Sequence, residues 1–423
     1  MKPFIVAFAV LAFAVGAVAE WALRPVLAPV DRLARNVHEH LKKNPKDAQA
    51  HYVLGRIHSM AFALGTNQVT HVLPFNPDAK APVLPRLPPW MGVVRKRNEK
   101  QPRPLTPERL LHLEASLRHY EKAAELDAKN HRARLGFAWM LEEGWNVREA
   151  LTKSHELGLL KKLPDDAAKR VTGLAERAAK LDTAALDVYR DVMKRVAAKD
   201  KARNFQGPEP DSLLSIDAAT AILRILEARP QLAVKEQAER ESMKKHLAAM
   251  ATKPRLVTPI IFPMDKPRPM NSLLASNGWT SFDLDADGIV SQWPWVKADT
   301  GLLVWDPHDT GKIRDGRQLF GSVTWWIFWN HGYEPLAALD NNRDGRLTDD
   351  ELAGLAVWRD ANSNGRSDHG EVLPVSTVGI CEINCVSERS GGIWQSSRGL
   401  RLKDGRWLPT YDWTPRSRSV AAP

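Results

Sequence analysis

The run DNNRDGRLTDDE, residues 340–351, has the residue order of a calcium loop. Oxygen-bearing side chains stand at its first, third, fifth, ninth and twelfth places as Asp340, Asn342, Asp344, Thr348 and Glu351. Gly345 is sixth. Calcium takes about six to eight hard oxygen ligands at roughly 2.3–2.6 Å. In such a loop the first three side chains approach from one side, and the glycine permits a sharp turn. The Arg346 carbonyl supplies a backbone ligand, Thr348 acts directly or through water, and Glu351 closes the shell with two oxygens. Leu347, at the eighth place, is the apolar residue that packs beneath the loop.

The same order returns in DANSNGRSDHGE, residues 360–371. Asp360, Asn362, Asn364, the Arg366 carbonyl, Asp368 and Glu371 are its candidate ligands, and Gly365 is its glycine. Eight residues, Leu352 to Arg359, separate the two loops. That length suits one short shared helix of roughly 12 Å, and Pro374 forbids a full exiting helix. Two partial loops come earlier. Asp283, Asp285, Asp287 and the Ile289 carbonyl form the first half of one; Pro294 stands where its glutamate should be, and Asp299 is a substitute. The other starts at Asp306 and has weak donors at His308 and Thr310, with Arg314 at its ninth place. It reads as a turn that no longer holds a metal.

Eleven of the fifteen tryptophans lie between Trp279 and Trp413, including Trp325, Trp326 and Trp329. A small calcium-organised domain needs such side chains for a core; the alternative is a platform on which sugars stack. Cys381 and Cys385 are the two cysteines. They suit either a local disulfide across a turn or two free thiols.

From Val30 to about residue 204 the apolar residues recur at helical spacing. Leu54-Gly55, with His51 before and His58 after, resembles the first helix of a tetratricopeptide repeat, where a small residue admits a neighbouring helix. Ser116, Tyr120, Ala123, Phe137, Ala138 and Leu141 repeat that resemblance. The prolines of residues 63–106 mark an inserted loop.

With 423 residues, 43% hydrophobic and 26% charged, the chain is too apolar to be disordered, and two cysteines exclude a disulfide-stapled miniprotein. The net charge of +10 divides into +15 for residues 1–270 (45 bases, 30 acids) and −5 for 271–423 (15 bases, 20 acids). The basic residues sit between apolar positions of helices without interleaved aromatics, so no nucleic acid is expected. One early Lys, an apolar run from Phe4 to Val15 and small residues at Ala17 and Ala19 have the form of a signal peptide. This predicts an exported protein, periplasmic or extracellular, and not an integral membrane protein after cleavage. No nucleotide loop, zinc-protease motif or nucleophile elbow is present, and His38-Glu39-His40 puts its histidines on different helix faces. No catalytic residue is nominated.

Phe282 to Gly288, Asp299 to Val304, Leu319 to Gly321, Gly332 to Glu334, Val357 to Asp360 and the closing Gly399 to Trp413 resemble exported bacterial EF-hand domain proteins. These are planctomycete-like proteins related to calcium modules of repeats-in-toxin type proteins, some with tetratricopeptide-like helices in front. The resemblance implies calcium binding and no reaction. The expected fold is mainly α. It comprises a signal peptide (1–19), a tetratricopeptide-like helical solenoid (20–205) with its Pro-rich insertion (63–106), and a helical pair and linker (206–270). A Trp-rich EF-hand-like calcium domain with short helices and a few β-strands (271–423) completes it. The expected function is an exported calcium-binding protein, its Ca2+ mainly structural, whose helical arm holds an unknown protein or cell-envelope partner. A wall- or polysaccharide-binding module is the alternative.

Overall fold

A computed structural model of the chain describes residues 26–64, 69–71, 104–202, 214–250, 257–286 and 290–417. The apolar N-terminal run and most of the Pro-rich insertion lie outside the described residues. The first part is helical: α1 (Val30–Lys43), α2 (Ala48–Leu64), α3 (Pro107–Leu126), α4 (His131–Asn146), α5 (Arg148–Thr152), α6 (Asp165–Glu176), α7 (Leu181–Ala202), α8 (Leu214–Glu227) and α9 (Val234–Met250). Local chemistry starts these helices where the sequence places them. Thr106 caps α3 by accepting from the Arg109 N–H at 3.3 Å, with Pro107 in the first turn. Asn130 caps α4 through the Ala133 N–H at 2.9 Å. Gly55 and Gly136 lie against the Tyr120 ring; a β-carbon would come within 2.7 and 2.3 Å of it. The close helix approach expected at Leu54-Gly55 is therefore made. No helix among the described residues is long and apolar enough to cross a membrane.

The second part is a β-sheet. Its strands are β3 (Ile260–Pro263), β6 (Thr300–Trp305), β7 (Arg346–Thr348), β8 (Leu355–Trp358), β9 (Val372–Pro374), β10 (Ile380–Asn384), β11 (Glu388–Ser390), β12 (Ile393–Leu402) and β13 (Trp407–Asp412). They pair antiparallel in the order β7-β10-β12-β13-β3-β6-β8-β9, with β11 on β12. A separate hairpin joins β4 (Leu274–Phe282) to β5 (Ser291–Val296), and β1 (Val26–Ala28) pairs β2 (Val69–His71). The mainly-α expectation and the EF-hand-like domain are thus overturned. Helices are confined largely to one half, and the C-terminal half is an antiparallel sheet.

The short helix expected between the two twelve-residue loops is strand β8. Leu355-Ala-Val-Trp358 is fully buried, and its β-branched and aromatic residues suit a pleated surface better than a helix. Gly354, at φ +86°, turns the chain into it. Successive residues of β3, β6 and β8 enter opposite cores. Ile260, Phe262, Leu303, Trp305, Leu355 and Val357 join the core shared with the helices. Ile261, Leu302, Val304, Ala356 and Trp358 join a second core beneath the hairpin, with Trp293 and Trp295. This is the period of two of a strand covered on both faces. Both faces being apolar, the alternation is invisible in a hydropathy pattern.

The helices do not leave a free concave arm. They close over a segment whose Trp325, Trp326 and Phe328 all have left-handed backbone (φ +52°, +58° and +61°). Such a conformation costs about 1–3 kcal/mol per residue and persists only when its surroundings hold it. Three donors from the helices do so. Arg56 Nε donates to the Trp326 carbonyl at 2.8 Å, Tyr52 Oη to Ile327 at 2.6 Å and Arg132 Nη1 to Phe328 at 2.7 Å. The rings of Trp325, Trp326 and Trp329 are all at most 3% exposed, so they offer no face for stacking a sugar.

Candidate metal centre

Both twelve-residue loops have the same backbone geometry. Position four is left-handed in each (Arg343, φ +63°; Ser363, φ +56°), and so is position six (Gly345, φ +83°; Gly365, φ +69°). In the first loop Asp340 Oδ1 accepts from the Arg343 N–H at 2.6 Å and Oδ2 from the Gly345 N–H at 2.8 Å. Glu351 folds back across the loop. Its Oε1 accepts from the Asn341 N–H at 2.6 Å and its Oε2 from the Thr348 N–H at 3.2 Å. The second loop repeats this arrangement. Asp360 accepts from the N–H groups of Asn364 (3.0 Å) and Gly365 (2.8 Å), and Glu371 from those of Ala361 (2.9 Å) and Asp368 (3.0 Å).

Asp340, Glu351 and Asp360 are at most 6% exposed, an expensive place for carboxylates. Burial pushes the Asp340 carboxyl above its ordinary range; the Gly345 and Arg343 N–H groups oppose this, and the Glu351 and Asp344 charges add to it. Asp360 is raised in the same way, by burial first and Glu371 in addition. Asp340, Asn342, Asp344, Thr348 and Glu351, with the Arg346 carbonyl, form an all-oxygen donor set of the kind a hard divalent cation takes. Asp360, Asn362, Asn364, Asp368 and Glu371, with the Arg366 carbonyl, form a second. The residues present fit calcium.

Tertiary contacts that spacing does not show hold each loop. Arg32 of α1 donates to Asn341 Oδ1 (3.0 Å), the Leu339 carbonyl and the Glu351 carbonyl (3.2 Å). Asn36 donates to Ala338 and Asn341, each at 3.0 Å. Leu347 pairs with Ile383 of β10. The second loop is held by the hairpin: Trp295 Nε1 donates to Asp360 Oδ2 at 2.6 Å, and Thr280 Oγ1 to the Ser363 carbonyl at 2.9 Å. Ser367, the polar residue at its eighth place, accepts from the N–H of Ile313 at 2.9 Å. Ile313 is itself eighth in the loop that begins at Asp306, so those two loops meet at equivalent positions.

That third loop keeps the turn but not the ligands. Asp309 (φ +49°) and Gly311 (φ +66°) are left-handed, and Asp306 accepts from the N–H groups of Thr310 (3.1 Å) and Gly311 (2.8 Å). Its twelfth residue is Arg317, whose guanidinium grips Asp315 at 2.6 and 2.8 Å. A cation stands where the others have glutamate. In the earliest loop Ala286 is left-handed at position four (φ +57°), and Asp283 and Asp285 are buried. Asp287 and Ile289 lie outside the described residues. Asp299, the substitute for its missing glutamate, is engaged by Arg268 at 2.8 Å.

Cys381 and Cys385 are free thiols. Cys381 lies in β10, and Cys385 directly follows it, its N–H donating to the Gly345 carbonyl at 2.9 Å. An extended strand holds residues four apart beyond bridging range, so of the two alternatives the structure has the free thiols. Arg32, Asn36, Thr280 and Trp295 are the residues that a reading of the loops misses. No local pattern signals them, since each acts on a loop far away in the chain.

Residues 270–403 match the model of the SPM domain. Over 104 residues the chain is 39% identical to "Iron-regulated protein FrpA" of Neisseria meningitidis serogroup C, covering 23% of this chain and 9% of that protein. The chain thus spans less than a tenth of the length of this relative. The SPM match runs from β4 through β12 and contains both complete loops. It replaces the EF-hand family resemblance drawn from loop spacing. The loop order is present, but in place of an EF-hand's helix pairs the loops are flanked by strands, short turns and the five-residue helix Tyr333–Ala337.

Proposed function

We propose that the protein binds calcium through residues 340–351 and 360–371, and that the ions hold the sheet in its fold. The observation that carries this reading is the shared loop geometry. A buried aspartate at the first place and a glutamate folded back from the twelfth lie around two all-oxygen donor sets. The role is structural because neither loop joins a pair of helices that could swing open. One is tied to β10 and α1, the other to the hairpin and β9. Extracellular calcium modules commonly bind at about 10⁻⁴–10⁻³ M, and the signal-like N-terminal sequence supports export to a compartment where calcium reaches that level. The net positive charge of residues 1–270 favours an anionic envelope or an acidic protein as partner.

Scanning calorimetry of the full chain in calcium and in chelator tests the reading. Calcium at a hundredfold excess over Kd adds about 2.7 kcal/mol per site, so the melting temperature should fall on chelation. Glu351→Gln and Glu371→Gln should each remove part of that shift. Equal melting temperatures with and without calcium would sink the proposal.

A further inference from the structure

Five histidines meet where α1 lies across α2 and α3, and none belongs to the calcium loops. His51 and His58 are seven residues apart on α2, as are His112 and His119 on α3. Two helical turns put each pair on one face. The two helices face each other in opposite directions, so His51 Nδ1 meets His119 Nδ1 at 2.9 Å and His58 Nδ1 meets His112 Nδ1 at 2.9 Å. His38 of α1 lies edge-on to the rings of His58 and His119, with centroids 6.4 and 6.0 Å away. One ring nitrogen each of His38, His58 and His119 lies within 4.8 Å of the other two.

The hydrogen bonds set the tautomers. A carbonyl only accepts. His38 Nδ1 lies 2.7 Å from the Ala34 carbonyl, so it carries the proton and Nε2 is a bare lone pair. His51 Nε2 lies 3.2 Å from the Pro45 carbonyl, so it too is protonated, and His51 Nδ1 must accept. His119 Nδ1 therefore donates to it. This leaves His119 Nε2 as a bare lone pair, buried and without a hydrogen-bond partner among the described residues, on a ring 2% exposed. The His58–His112 contact joins two Nδ1 atoms in the same way; with His58 as its donor, His58 Nε2 would also be a bare lone pair. Ligating histidines characteristically have the far ring nitrogen held by a second group in this way. Burial also keeps His58 and His119 neutral, pushed down to about 3 and about 2.

We infer that His38, His58 and His119 form a site for a late first-row divalent ion such as Zn2+. Neutral imidazole suits these metals, whereas calcium requires oxygen. Zinc–nitrogen bonds of about 2.0–2.1 Å set tetrahedral ligand nitrogens roughly 3.4 Å apart. The three nitrogens, within 4.8 Å of one another, would have to draw together on binding the ion. Solvent enters beside His38 and leaves the fourth position to water or an anion. His51, His112 and the Ala34 carbonyl position the ligands without touching the metal.

The test is titration of Zn2+ into the full chain saturated with calcium, read by calorimetry and, with Co2+ in place of zinc, by the visible spectrum of a tetrahedral ion. One zinc per chain and a cobalt spectrum with nitrogen ligands are expected. His38→Ala, at an exposed position that leaves the fold intact by circular dichroism, should weaken zinc at least tenfold. His119→Gln should do the same. His51→Phe, which frees the tautomer of His119, should cost about ten- to a hundredfold and leave the calcium-dependent melting shift unchanged. Absence of stoichiometric zinc binding in the calcium-loaded chain, or equal affinity of wild type and His38→Ala, would overturn the inference.

Discussion

In the sheet, the donors of each candidate site come from twelve consecutive residues and are mostly carboxylates and carboxamides. In the helical part, they come from three helices and are neutral imidazoles. The two regions reach convergent lone pairs by opposite means. A loop gathers oxygens because a glycine at its sixth place lets the chain curl around a centre; without an ion, those carboxylates repel one another. The helices gather nitrogens by packing, and the neutral rings satisfy one another through their hydrogen bonds. If the loops bind calcium as proposed, the sheet half should depend on a cation for stability, and the helical half should not. The chemistry also sorts the ions: hard calcium for oxygen, zinc-like metals for imidazole.

The largest effect should come from breaking the seam between the regions. Arg56 is fully buried, lies over the rings of Trp139 and Phe328, and holds the left-handed Trp326 carbonyl. Arg56→Met removes a charge-assisted hydrogen bond and leaves a buried carbonyl unpaired. It should cost about 3 kcal/mol in urea unfolding. It should also lower the stability of the helices and the sheet together, because both contribute to one core. Separate transitions, with the sheet unaffected, would show that the regions are independent.

A smaller effect separates the two loops. Gly345→Ala and Gly365→Ala both force a β-carbon into left-handed backbone, at roughly 1 kcal/mol. At Gly345 the new carbon meets only the end of Val386 at 3.1 Å. At Gly365 it meets Thr280 Cγ2 at 2.4 Å and the Ser281 carbonyl at 2.7 Å, so the hairpin must move. Gly365→Ala should lower the melting temperature by more. Equal losses would mean that the hairpin does not buttress the second loop.

The smallest effect is a pH dependence specific to the sheet half. The His331 ring lies tilted on Trp394 with centroids 4.4 Å apart, and burial pushes it down to about 4. Folded His331 stays neutral where the unfolded residue, at about 6.5, takes up a proton. Its contribution is complete above pH 6.5 and is lost as the pH falls towards 4. His331→Phe keeps the ring contact and should flatten that part of the melting profile. An unchanged slope between pH 7 and 4 would remove this residue from the account.

The turns of the two complete loops were legible in the sequence, since Gly345 and Gly365 are left-handed at the sixth place of each. The helix start at Pro107 was legible from Thr106 and Pro107. The setting of the loops was not. Leu355 to Trp358 is a strand with both faces buried, so it shows neither the alternation of a half-exposed strand nor the period of a helix. The expectation of a helix there came from the loop motif and not from the residues. The contacts of Arg32 and Asn36 with Leu339, Asn341 and Glu351 join segments that no local pattern relates.

Spacing alone was enough for the turns of the two loops, since each lies within twelve residues and its sharp turn needs only a glycine. It was likewise enough for the pairing of His51 with His58 and of His112 with His119 on single helix faces. Packing determined that the loops hang on a nine-stranded antiparallel sheet, that three left-handed aromatic residues are held by Arg56, Tyr52 and Arg132, and that His38 completes a triad with His58 and His119. The reason is the range of the forces involved. Backbone turns and helix faces are set by neighbours a few residues apart. Contacts between distant segments form only when two apolar surfaces are buried against each other.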